Sequence, residues 1–147
     1  MTIVKKLFRG ISRSILLNPV WITEHYLYLA LRRGVFNLGC SDSEIWLDIG
    51  CGTRPYEHLF SNVTYIGVDV SESGRPLGMK HPDLFYDGVS LPFPDACVDG
   101  IFCTQVLEHV SAPNCFLAEC ARVLKPGGKC LFSIPFVWEE HEEPHDY

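Results

Sequence analysis

Residues 46–53 read Trp46-Leu47-Asp48-Ile49-Gly50-Cys51-Gly52-Thr53, and Tyr65-Ile66-Gly67-Val68-Asp69 follows one strand further on. Each stretch is a short apolar run that ends in an acid, and the first passes into a glycine loop. Such runs, bounded by turn residues, have the pattern of buried strands. Glycines let the backbone turn sharply and approach a ligand closely. Asp69 lies nineteen residues beyond Gly50, the spacing at which an acid reaches the hydroxyls of a ribose. Two strand-ending acids around a glycine turn describe a nucleoside site in an open α/β sheet.

Further segments extend the pattern in a fixed order. Asp48 to Thr53 resembles the first motif of class I S-adenosylmethionine-dependent methyltransferases of the type 11 kind. Tyr65 to Asp69 resembles their ribose-binding second strand, and Asp87 to Asp95 (DGVSLPFPD) their adenine-binding segment. Asp99 to Val110 (DGIFCTQVLEHV) resembles the fourth strand and its loop, and Ala121 to Gly128 (ARVLKPGG) the turn before the fifth strand. One such motif is weak, and five in order are specific.

The resemblance implies a doubly wound, mostly parallel α/β sheet of the Rossmann-like class I methyltransferase fold, with S-adenosyl-L-methionine as cofactor. It implies that Asp48 holds the cofactor's amino end and that Gly50, Cys51 and Gly52 form the loop over its methionine part. Asp69 with Val70 takes the ribose, Asp87 with Gly88 the adenine, and Gln105 closes the pocket after the fourth strand. Arg54 departs from the pattern, which has glycine there. Methyl transfer from a sulfonium needs no metal and often no dedicated base, so the catalytic residue is left unassigned. His109 is the nearest candidate by chain position, beside its reading as a loop histidine ordering a helix start.

The nearest rival is a dinucleotide-binding fold, whose fingerprint wants a third small residue where the helix packs on the strand. Counted from Gly50, that position is Pro55. The rival also leaves Leu91-Pro92-Phe93-Pro94-Asp95 and Lys125-Pro126-Gly127-Gly128 unexplained.

The family's sheet usually has seven strands, and five are legible before Tyr147. The expectation is a C-terminally truncated domain lacking the last two strands, either a fragment of a longer chain or a relative whose open edge is covered. An exposed fifth strand, with Leu131-Phe132-Ser133-Ile134 along it, would favour self-association. Methyl transfer to a small-molecule, saccharide or lipid-linked acceptor is the expected activity. The alternative is a non-catalytic cofactor-binding fragment that acts only with a partner or within a longer chain.

Composition narrows the surroundings. Seven scattered cysteines with no Cys-x-x-Cys pair argue against a disulfide framework or zinc site and for a reduced, cytoplasmic setting. Cys97, Cys103, Cys115, Cys120 and Cys130 read as small buried residues. Residues 1–34 carry six basic side chains and one acid, whereas residues 35–147 carry six basic and seventeen acidic ones. The acidic body disfavours nucleic acid, which needs clustered Lys and Arg.

Residues 1–44 are expected to form an N-terminal helical segment and residues 45–147 the cofactor-binding domain. Within residues 2–17, Ile3, Val4, Leu7, Phe8, Ile11 and Ile15 make an apolar stripe beside Lys5, Lys6, Arg9 and Arg13. Packing on the protein, peripheral contact with a membrane surface and a transit peptide all fit that stripe. A second helix is expected from Asn18-Pro19 to Arg33, with Gly34 past its end. Strands are predicted at 45–49, 64–69, 83–86, 98–103 and 129–134. A short helix is predicted after Pro55 and a longer one at 113–124. His141, Glu142, Glu143, His145 and Asp146 cluster near the end, where Pro144 breaks a regular metal-binding face, so no metal site is assigned.

Overall fold

The computed structural model describes residues 19–71 and 80–135. The stripe at 2–17 and the cluster from His141 to Asp146 lie outside the described residues. The chain divides into two compact units, Met1–Gly34 and Val35–Tyr147. Helix α1 spans Pro19–Leu38. In the first unit Trp21 stacks on His25 with ring centroids 5.0 Å apart, and the Arg32 guanidinium lies 5.9 Å from the Tyr28 ring centre.

Gly34 does not end this helix. A mid-helix glycine costs about 1 kcal/mol relative to alanine and is tolerated when helix-compatible residues follow, as Val35-Phe36-Asn37-Leu38 do here. The stop is Gly39, at φ +60°, whose N–H donates to the Phe36 carbonyl at 3.2 Å. A left-handed glycine just past the last turn is the usual way to end a helix.

The second unit is built on a five-stranded sheet in the order β3-β2-β1-β4-β5. The strands are β1 Ile45–Ile49, β2 Thr64–Val70, β3 Leu84–Tyr86, β4 Val98–Thr104 and β5 Leu124–Ser133, every pairing parallel. Parallel strands end on one edge, so the residues after Ile49, Val70, Tyr86 and Thr104 share it. The chain winds outward from β1 to β3, then returns to lay β4 on the other side of β1. The strand order therefore reverses between β1 and β4, and in open α/β sheets ligands bind at that point.

Side chains alternate across the sheet. One face presents Leu47, Ile49, Val68, Ile101 and Cys103, which pack with Leu91 and with Phe116, Cys120 and Val123 of α2 (Pro113–Val123). The other face is aromatic. Trp46 and Phe102 are fully buried there, and the Phe60 ring sits 5.3, 5.0 and 5.5 Å from those of Trp46, Phe102 and Tyr65. Phe60 comes from a 3-10 turn, Glu57–Phe60, the short helix expected after Pro55. Gly100 makes room for the Trp46 indole, since a Cβ there would lie 2.3 Å from two of its ring atoms.

Strand β5 begins at Leu124, five residues before the expected start. Leu124 pairs with Val98 immediately after α2, and the ladder resumes at Lys129 opposite Gly100 after an irregularity. Gly127, at φ +80°, lies within it. Lys-Pro-Gly-Gly is thus a kink inside the strand. Of the cysteines read as buried, Cys103 and Cys120 are, Cys97 is half-buried, and Cys115 and Cys130 are exposed. Cys115 falls on the outward side of α2, and Cys130 lies on a strand that pairs only with β4 among the described residues.

Two of the sequence segments hold each other. Arg122 of α2 donates to the carbonyls of Phe93 and Leu91 and to the Asp95 carboxylate, while Glu119 accepts from the Leu91 N–H. The Leu91 to Asp95 loop is therefore strapped to α2. Asp99 plays a similar part at the starts of β1, β4 and β5, accepting from the Ile45 N–H and from Lys125, which holds its carboxyl below the usual range.

Candidate functional site

The glycine loop is held by its own amides. Gly50 and Cys51 both donate N–H bonds to the Val68 carbonyl, at 2.8 and 3.1 Å, and Gly52 donates to Asp69 Oδ2 at 2.9 Å. Gly50 has φ +75°, and a Cβ on it would lie 2.3 Å from Val106 Cγ2. Only glycine satisfies both the backbone and the neighbour. That contact also sets the loop after β4 directly against the loop after β1.

Asp69 is the last residue but one of β2 and is only 6% exposed. Its Oδ1 accepts from the Val70 N–H at 2.7 Å and from Lys80 Nζ at 3.0 Å, and its Oδ2 takes the Gly52 N–H. Lys80 also donates to the Val70 carbonyl at 2.6 Å. The chain beside it is fastened to the glycine loop, the His81 N–H donating to the Gly52 carbonyl at 2.8 Å. Lys80 was not legible as a site residue: Met79-Lys80-His81-Pro82 carries no motif.

Asp48 lies one strand inward, 3% exposed, on the aromatic face. The Tyr65 hydroxyl donates to its Oδ2. Burial raises the Asp48 carboxyl from its ordinary 3.8 to about 7, against the lowering pull of Tyr65 and of the Arg54 guanidinium. The same burial, with the nearby Asp48 charge, pushes the Tyr65 phenol far up, and burial pushes the Cys51 thiol up to about 12.

Arg54, at φ +59°, turns away from the loop's mouth and folds back along β2. Its guanidinium lies 5.1 Å from the Tyr65 ring centre and donates to Asp83 at 3.0 Å and Glu57 at 2.9 Å. Asp83 in turn accepts from the Gly67 N–H. The bulky residue where the family pattern has glycine is thus absorbed as a brace across β2.

Asp87 follows β3 in a turn in which its Oδ1 accepts from the Val89 and Ser90 N–H groups, at 2.8 and 2.7 Å. Those bonds hold its carboxyl below the usual range, and the side chain is exposed. Gly88, at φ +80°, packs against Val70, since a Cβ there would meet Val70 Cγ1 at 3.4 Å. Gln105 follows β4 at φ +54°, its N–H donating to the Ser133 carbonyl at 3.0 Å and its Nε2 to Ser133 Oγ at 3.1 Å. Non-glycine residues held at positive φ collect where surrounding structure over-determines them.

Contacts and register therefore join Asp48, Gly50, Cys51, Gly52, Asp69, Val70 and Gly88, with Asp87 the chain neighbour of Gly88 and Gln105 the chain neighbour of Val106, which lies against Gly50. His109 sits further on, in the 3-10 turn Leu107–His109, its N–H donating to the Val106 carbonyl. Among the described residues, no group of three or more His, Cys, Asp or Glu is placed to hold a metal ion. No helix among them is long and apolar enough to cross a membrane.

Comparison with known proteins gives the same outline. Residues 47–132, more than half of the chain, match the family model described as a methyltransferase domain. A probable S-adenosylmethionine-dependent methyltransferase of Mycolicibacterium smegmatis is 35% identical over 102 residues, covering 65% of this chain and 39% of that protein. A demethylmenaquinone methyltransferase of Tropheryma whipplei is 35% identical over 111 residues, covering 67% of this chain and 46% of that protein. The chain thus spans less than half the length of these relatives. The crystal structure of the YcgJ protein of Bacillus subtilis aligns with a TM-score of 0.61 at 30% identity, over 74% of this chain and 50% of that one.

Proposed function

Since the chain belongs to the methyltransferase-domain family, we propose that it binds S-adenosylmethionine at the carboxyl edge of its sheet and directs methyl transfer to a small-molecule acceptor. The observation that carries this reading is the buried Asp69 carboxylate, tied to the Gly52 amide at the end of β2 beside the switch point. The residues fit such a nucleoside. Among the described residues Asp69 Oδ2 has a single donor, and Asp87 gives only Oδ1 to its turn, which leaves an acceptor oxygen on each for ribose and adenine.

The bound group supplies an electrophilic methyl on a sulfonium. The chain's part is to grip and align. Asp69 and Asp87 fix the nucleoside end, and the loop from Gly50 to Gly52 keeps side chains away from the methionine end. Val106 and Gln105 bound the mouth next to it, where an acceptor would approach and water be excluded. One relative is named for demethylmenaquinone, which supports a small acceptor.

The test is calorimetry with S-adenosylhomocysteine. Losing hydrogen bonds to a charged acceptor costs about 1.5–3 kcal/mol each, so Asp69→Ala is expected to bind at least about 10-fold more weakly. Equal affinity in the wild type and a folded Asp69→Ala variant would remove Asp69 from the site.

A further inference from the structure

Lys80 is 6% exposed, and it meets an acid that is itself buried. Burying an ion pair is a poor way to stabilise a protein, because desolvation of the charges offsets their attraction. A buried pair at the carboxyl edge of an open sheet therefore asks for another reason.

Its hydrogen bonds supply one. A carboxylate offers about four acceptor positions and an ammonium three donors. Asp69 uses two positions on Oδ1, for Val70 and Lys80, and one on Oδ2, for Gly52. Lys80 uses two protons, for Asp69 Oδ1 and the Val70 carbonyl. Among the described residues this leaves one acceptor, on Asp69 Oδ2, and one donor, on the Lys80 Nζ that bonds the same carboxylate. A vicinal diol presents two hydroxyls, each able to donate or accept. With Oδ1 filled, Asp69 alone does not accept both.

We infer that Lys80 is a ribose-contacting residue: one ribose hydroxyl donates to Asp69 Oδ2 and the other accepts a hydrogen bond from Lys80 Nζ. The inference rests on the cofactor reading above and adds a ligand to it. The lysine is well placed to hold this position, because the His81 amide anchors the neighbouring backbone to the same glycine loop that bonds Asp69.

The experiment is a cycle between residue and ligand. Calorimetry measures S-adenosylhomocysteine and its 2′-deoxy and 3′-deoxy analogues against the wild type, Lys80→Met and Lys80→Arg. Lys80→Met is expected to weaken S-adenosylhomocysteine about 10- to 150-fold, the effect of one lost charge-assisted hydrogen bond. Against one of the two deoxy analogues the same substitution is expected to cost less than about 2-fold, the partner hydroxyl being already gone. Lys80→Arg, which keeps a cation on Asp69, is the variant to read if Lys80→Met does not fold, and it is expected to keep the discrimination between the two deoxy analogues. An equal loss against all three ligands would make Lys80 a prop for Asp69 and overturn the assignment. Tighter binding by Lys80→Met would overturn it too, showing that the lysine obstructs the acid. A folded wild type that binds none of the three ligands is a different failure, that of the cofactor reading itself.

Discussion

Replacing Asp48 by asparagine is expected to stabilise the protein at neutral pH, and to do so by an amount that grows with pH. Asp48 is 3% exposed and accepts from Tyr65, and burial raises its carboxyl from 3.8 to about 7. A carboxyl raised on folding contributes stability below its unfolded value, and loses it as pH climbs through the folded one. Between about pH 4 and pH 7 the wild type therefore has an ionisation the folded state resists. A rise of that size corresponds to about 4 kcal/mol at most. Asparagine keeps the oxygen that accepts from Tyr65 and does not titrate. Urea unfolding of both proteins at half-unit steps from pH 4 to 8 measures the difference. Other carboxyls affect both alike, including Glu44, Asp99 and Glu119, each held low by a basic partner. The variant is expected near parity at pH 4 and more stable above pH 7, with a slope of no more than about 1.4 kcal/mol per pH unit. A difference constant across the range would show that Asp48 titrates alike folded and unfolded. A falling difference would show that Arg54 and Tyr65 outweigh burial and hold the carboxylate charged.

Three further outcomes follow from the same geometry. If Asp48 meets the cofactor's amino group, wild-type affinity for S-adenosylhomocysteine should rise from pH 5.5 to 7 as the carboxyl ionises, and calorimetry should find that rise missing in Asp48→Asn. Gly50→Ala forces a side chain to φ +75° and into Val106; a loss of about 2–4 kcal/mol in urea unfolding is expected, partly recovered by Val106→Ala. Gly100→Ala sets a methyl against the Trp46 ring and should cost about 1–3 kcal/mol by overpacking, with Trp46→Leu in the same chain returning part of it.

The arrangement of strands was open to reading in one dimension because each strand is a short apolar run with a turn signal at its end. Period, acid and glycine placed β1 at 45–49 and began β2 at 64, and the five ordered segments named the family. Gly34 suggests too early an end for helix α1, because a glycine permits a helix end without requiring one, and the left-handed turn is made at Gly39 instead. Lys-Pro-Gly-Gly looked like a turn because its residues are turn formers, yet pairing of Leu124 with Val98 starts the strand before it.

At the site the division follows the reach of the chemistry. Asp48, Asp69, Asp87 and the glycines could be picked out because their roles depend on backbone turns and strand ends, which neighbours in sequence dictate. That Lys80 fills one oxygen of Asp69, that Arg54 braces β2, and that Tyr65 caps a buried Asp48 all depend on pairings eleven to twenty-nine residues apart. Burial sets the charge state of Asp48, and burial belongs to the packed sheet face, with Trp46, Phe60 and Phe102 laid over it. Sequence could nominate the acids. Only the folded chain decides which of their oxygens are left for a ligand, because donors and acceptors are shared out by distance in space.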